Sequence, residues 1–154
     1  MISRIFPLLL VLLTACSHRL PYQGTEAAYR WVTEVPDDLK KLKKGVRRSP
    51  AMLEIDFETG DFKGRYKTHN FKGKYRIEHV SSGFVKGFFY RVKAEDLQFP
   101  ESKNTKAQAL FKNLSTSSRL YVAPDTPRDP AYTFLEVYDP NSGTKTLWVK
   151  LNHP

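Results

Sequence analysis

A chain of 154 residues with 25 Lys and Arg against 16 Asp and Glu carries a formal charge of +9. That excess of cations favours acidic neighbours such as phospholipid headgroups, lipopolysaccharide, wall polyanions or nucleic acid. The length suits one compact domain with its own core, and a lone cysteine, Cys16, excludes an intramolecular disulfide framework.

The N-terminal stretch has a single cation, Arg4, then an apolar run over residues 5–13 interrupted only by Pro7, then the small residues Thr14 and Ala15 directly before Cys16. A charged start, a brief apolar core and a small-residue cleavage site describe a secretory signal, too short to span a bilayer. The tetrapeptide Leu13-Thr14-Ala15-Cys16 resembles the lipobox of bacterial lipoproteins. That resemblance implies cleavage between Ala15 and Cys16, a diacylglyceryl group on the Cys16 thiol and an acylated new N-terminus. The mature chain would then have 139 residues and a charge of +8, since Arg4 is the only charge lost. Two or more acyl chains hold a protein stably at a membrane, at about 0.8 kcal/mol per buried methylene. Ser17 stands where the family's inner-membrane retention signal is usually Asp, so the expected location is the outer membrane, facing the periplasm. Export removes nucleic acid as a partner, and lipidation consumes the only thiol.

Residues 16–27, with Pro21 and Gly24 and no periodicity, read as a lipidated tether, leaving residues 28–154 as a single domain. Over residues 29–35, Tyr29, Trp31, Thr33 and Val35 alternate with Arg30, Val32 and Glu34, which predicts a strand ended by Pro36. Residues 37–50 hold Lys40, Lys41, Lys43, Lys44, Arg47 and Arg48 around Leu39, Leu42 and Val46. The apolar spacing predicts one side of a short helix capped by Asp37 or Asp38. Such a charge run is commonly solvated surface, but beside an acyl anchor it also suits anionic headgroups, at about 1 kcal/mol per basic residue.

From Ala51 the alternation of Leu53, Ile55 and Phe57 with Glu54, Asp56 and Glu58 predicts a half-buried strand. Glu58-Thr59-Gly60-Asp61 makes a turn with Gly60 at positive φ, and residues 62–67 return with Phe62, Gly64 and Tyr66 on one face. Asp56, Glu58 and Asp61 lack EF-hand spacing, so no metal is expected there.

Within residues 61–75, Gly64, Asn70, Phe71, Gly73 and Tyr75 follow the order and spacing of the signature of the META (HslJ-like) domain, which the segment resembles. Thr68-His69 stands where that family often has Gly-Cys, so the family's cysteine chemistry does not carry over. The resemblance implies a part in tolerance of stress or antibiotics with no established reaction, and a likeness to the lipid-binding pilot proteins of secretion systems. Read physically, Asn70 suits a left-handed turn, and Gly64 and Gly73 permit close strand approach.

Tyr75, Ile77 and His79 continue the inward alternation, Ser81-Ser82-Gly83 reads as a turn, and residues 84–92 form a strand apolar on both faces. Residues 95–104, broken by Pro100, read as a loop. Thr105 precedes Ala107, Leu110, Phe111 and Leu114 at helical spacing, which predicts an amphipathic helix laid on the sheet. Strands over residues 119–123, 132–138 and 144–151 complete the domain, the last two joined by the hairpin turn Asp139-Pro140-Asn141-Ser142-Gly143.

The fold expected is α+β, a curved antiparallel sheet or partly open β-barrel with one main helix packed on it. No Gly-x-Ser-x-Gly, His-Glu-x-x-His or phosphate-cradling loop occurs, and His18, His69, His79 and His153 are scattered. The expectation is therefore a non-enzymatic envelope lipoprotein without metal or cofactor that binds a protein or lipid partner. The alternative is a pilotin-like carrier in which Phe84, Phe88, Phe89 and Trp148 line an apolar cavity.

Overall fold

The computed structural model describes residues 28–82 and 87–152. Ala15, Cys16, His18, Gly83, Phe84 and His153, with the signal and the tether, lie outside the described residues.

Eight strands form an antiparallel meander that closes on itself: β1 (Ala28–Val32), β2 (Ala51–Ile55), β3 (Asp61–Tyr66), β4 (His69–Ser82), β5 (Phe88–Gln98), β6 (Arg119–Pro124), β7 (Tyr132–Asp139) and β8 (Thr144–Leu151). Closure is made by β1 against β8, with Arg30, Trp31 and Val32 opposite Val149, Trp148 and Leu147. The partly open barrel expected from the sequence is thus corrected to a closed one. Closure leaves no unpaired edge, which a curved open sheet would have to protect. A second correction concerns the helices, of which there are two: α1 (Leu39–Arg48) and α2 (Thr105–Thr116).

The connections β1–β2, β3–β4, β5–β6 and β7–β8 all leave from one end of the barrel, hereafter the helical end; the opposite, N-terminal end receives Ala28. Helix α2 begins at Asn104, whose side chain accepts from the Lys106 and Ala107 amides at 3.0 and 3.1 Å, satisfying two of the free donors of its first turn. Its buried residues Ala107, Leu110, Phe111 and Leu114 join the same cluster as the inward strand residues, so α2 folds over the helical end and stops it with side chains. A polar chain ties it down. Buried Asn113 donates to the Thr144 carbonyl at 3.2 Å and accepts from Thr146 at 2.8 Å, and Thr146 accepts from the Trp148 indole at 2.9 Å.

Helix α1 lies on the outside. Leu42 and Val46 pack with Val32 and Val149, flanked by Tyr132, Phe134, Leu147 and Leu151, the outward residues of β1, β7 and β8. Both faces of β1 are therefore covered: Tyr29 inside, Val32 beneath α1. Strand β1 ends at Val32, three residues before the expected limit, because the chain turns back along the wall to bring Leu42 and Val46 onto it. The helix is capped by Asp38, which accepts from the Lys40 amide at 2.8 Å.

The structure differs from the expected pattern at three further places. The left-handed residue of the β3–β4 turn is Lys67 (φ 52°), not Asn70, which sits in β4 opposite Arg65. A positive φ at the first central position of a two-residue turn suits the twist of the flanking strands. Strand β4 runs through Ser81 and Ser82, and a register irregularity between Ile77 and His79 turns His79 outward to solvent. Strand β5 continues to Gln98 through the segment expected to be a loop. One extra residue is taken up where Lys72↔Gln98 gives way to Lys74↔Glu95, with Asp96 at φ 50°. Such a bulge keeps strands paired while bending them.

Candidate functional site

Aromatic side chains fill the barrel. Trp148, Tyr29, Tyr75 and Tyr90 are fully buried, with Phe62 stacked on Tyr75 at 4.7 Å and Phe57 tilted against Tyr90 at 5.1 Å between ring centroids. The cavity imagined for a carrier needs Phe88, Phe89 and Trp148 on one lining. Instead, Trp148 is inside, Phe88 is half-buried against the core, and Phe89 is 47% exposed on the outer wall, stacked on Tyr121 at 4.3 Å. Alternation along β5 forces this, since Phe88 and Phe89 must point to opposite faces.

Titratable groups inside are few. Tyr75 donates its hydroxyl to the Leu114 carbonyl at 2.6 Å, and burial pushes its pKa far above the phenol value. Tyr90 has a buried hydroxyl with no partner among the described residues, and burial pushes it up to about 12. Such an orphan is a cost, of about 1–3 kcal/mol. His69 and His79 are both exposed, and among the described residues no three His, Asp, Glu or Cys side chains group as metal ligands. Asp56 builds its own turn, accepting from the Glu58 and Thr59 amides at 2.8 and 3.3 Å, while Gly60 takes the expected positive φ of 81°.

The five META-like residues come together in the β3–β4 hairpin. Gly64 lies opposite Phe71 and Phe62 opposite Gly73, so two glycines alternate with two phenylalanines across the strand pair. A Cβ on Gly64 would meet the Phe71 ring and the Met52 carbonyl, and one on Gly73 would meet the Phe62 ring and Leu97. The rings occupy the space that the glycines leave, a cross-strand arrangement that fills a kinked sheet. Phe71 and Tyr75 belong to the core cluster. Asn70 is exposed on the outer wall.

Two features of the outer wall stand out. The first is α1. Lys40, Lys41, Lys44, Arg47 and Arg48 are exposed and Lys43 is half-buried, and among the described residues none of the six lies within ion-pair distance of a carboxylate. Lys40/Lys44, Lys43/Arg47 and Lys44/Arg48 are i,i+4 pairs of like charge, each disfavouring the helix by about 0.2–0.5 kcal/mol. What holds α1 is burial of Leu42 and Val46, at about 1.5–3 kcal/mol each.

The second is a hollow of about 580 Å³ over β2, β3 and β4, lined by Met52, Glu54, Lys63, Arg65, Asn70, Lys72 and Gln98 above the Gly64 and Phe71 backbone. Strand register builds it in two rows: Met52, Arg65 and Asn70 in one, and Glu54, Lys63, Lys72 and Gln98 in the other. Sequence reasoning missed Arg65, Lys72 and Gln98. They belong to three strands, and only the pairing brings them together.

Compared with models of known protein families, with curated proteins and with solved structures, the chain matches none of them.

Proposed function

We propose that this is a non-enzymatic envelope lipoprotein, anchored through an acylated Cys16, whose barrel lays helix α1 against an anionic membrane surface. The observation that carries the reading is the run of cations on α1, mostly exposed and unpaired among the described residues, held to the wall by two buried apolar residues although its like charges disfavour the helix. Position supports it, because α1 packs on β1, the strand into which the tether leads. A tether over residues 16–27 reaches up to about 40 Å at ~3.3–3.6 Å per residue, enough for that wall to lie on the anchoring bilayer. The META-like role in tolerance of envelope stress belongs to the same proposal and rests on Gly64, Asn70, Phe71, Gly73 and Tyr75 alone.

The test is sedimentation of the full chain carrying Cys16→Ser, hence without lipid, with vesicles containing phosphatidylglycerol. Binding is expected at low salt and should weaken at least about tenfold when Lys40, Lys41, Lys43, Lys44, Arg47 and Arg48 become Gln. Unchanged binding in that variant rejects the membrane contact. Incorporation of a tagged fatty acid by the wild type, lost in Cys16→Ser, tests the anchor separately.

A further inference from the structure

The hollow over β2, β3 and β4 carries charge that the protein leaves unbalanced. Lys63 and Lys72 are directly opposite each other across β3 and β4. Like charges in that relation disfavour the sheet, by about 0.2–1 kcal/mol. Lys63 is neutralised by Glu54 at 3.1 Å, whereas Lys72 and Arg65 have no carboxylate within ion-pair distance among the described residues. Three cations thus line a concavity holding one carboxylate. Other cations of the same wall reach carboxylates: Arg76 lies 2.9 Å from Glu95 and Lys74 lies 4.0 Å from Asp61.

Two more observations point to a ligand. The side-chain amides of Asn70, beside Arg65, and of Gln98, beside Lys72, end the two rows, and neither makes a hydrogen bond among the described residues. Gln98 reaches the rim because the bulge at Asp96 shifts the register of β5 by one residue immediately before it. A non-glycine residue at positive φ in a strand is uncommon, and bulges of this kind re-aim side chains next to binding sites. The floor offers Met52 and the strand backbone at Gly64, and a volume of about 580 Å³ falls within the range of small-molecule sites.

We propose that this hollow is a binding site for a small carboxylated molecule of the size of an acidic sugar or a dipeptide. Arg65 and Lys72 take the carboxylate, with bidentate geometry available to the Arg65 guanidinium. Asn70 and Gln98 donate to or accept from neighbouring amide or hydroxyl groups. The site lies on β2–β4, while α1 covers β1, β7 and β8, so it stands independently of the membrane contact and of Cys16.

The experiment is titration calorimetry on the full-length protein in neutral detergent. The probes are N-acetylmuramic acid and the dipeptide Glu-Glu, their uncharged counterparts N-acetylglucosamine and Gln-Gln, and inorganic phosphate. Saturable binding of at least one carboxylated probe below about 1 mM is expected, with its uncharged counterpart and phosphate at least tenfold weaker. Which of the two binds separates a sugar acid from a peptide. Arg65→Gln and Lys72→Gln should each weaken binding about tenfold. Lys72→Gln should also leave the melting temperature unchanged or raised, since it removes the like-charge pair. No binding by either carboxylate up to about 10 mM, equal binding of phosphate, or full binding in both variants overturns the proposal. Substitution of the α1 cations should leave this titration unaltered, which keeps its outcome separate from that of the vesicle experiment.

Discussion

Tyr75, in the middle of β4, donates its hydroxyl to the Leu114 carbonyl of α2 across 2.6 Å, joining the barrel wall to the helix that stops its end. Leu114 lies in the last turn of α2, where carbonyls lack partners within the helix. Tyr75→Phe leaves that acceptor unsatisfied in a dry interior, and a loss of about 1–3 kcal/mol is expected. Tyr90→Phe removes a hydroxyl that has no partner among the described residues, so it should be neutral or stabilising. Urea unfolding of both variants checks the pair. A Tyr90→Phe protein as damaged as Tyr75→Phe would mean that the Tyr90 hydroxyl has a partner after all.

Two glycines should respond to alanine with opposite signs. At Gly64 a methyl group runs into the Phe71 ring and the Met52 backbone, so overpacking of about 1–3 kcal/mol is expected. At Gly45, inside α1, nothing lies within 4 Å of the added carbon. Alanine there should stabilise by about 0.5–1 kcal/mol through helix propensity. Thermal melts of Gly64→Ala and Gly45→Ala moving in the same direction would contradict the strand and helix placement.

Asp139 supplies an acid-sensitive element at the β7–β8 turn. The Ser142 hydroxyl at 2.7 Å and that of Thr116, with the Asn141 and Ser142 amides, hold its carboxyl below the usual range. Because the folded pKa lies below the unfolded one, the stabilisation is present above the unfolded value and is lost as pH falls through the folded value. Asp139→Asn should therefore be less stable than wild type near neutrality. The gap should narrow as both are taken from neutrality to below the unfolded Asp value of about 3.9. Chemical denaturation midpoints at the two pH values give the comparison, and a constant gap would remove Asp139 from the acid response.

Local pattern carried much of the fold. The alternation along β2 and β3 put Leu53, Ile55, Phe62 and Tyr66 inside, since the pleat allows only two directions for a side chain. The 3,4 spacing of Ala107, Leu110, Phe111 and Leu114 marked α2, though not Asn113, the polar residue buried on the same face. Turn chemistry located Gly60 and Gly143, both at positive φ. What failed were readings that local pattern cannot test: β5 past Ala94, where the bulge at Asp96 breaks the alternation, and Asn70 as a turn residue.

The sequence by itself determined that this is a small, strongly cationic, β-rich chain, because charge, length and periodicity are sums over nearby residues. Tertiary structure alone decided that the sheet closes through β1 and β8, that α1 docks outside while α2 stops one end, and that Lys63, Arg65, Lys72 and Gln98 share one hollow. Strand register sets those relations. It is chosen by the whole core, where a slip of one residue would turn every side chain of a strand to the other face, and no short stretch of chain contains it.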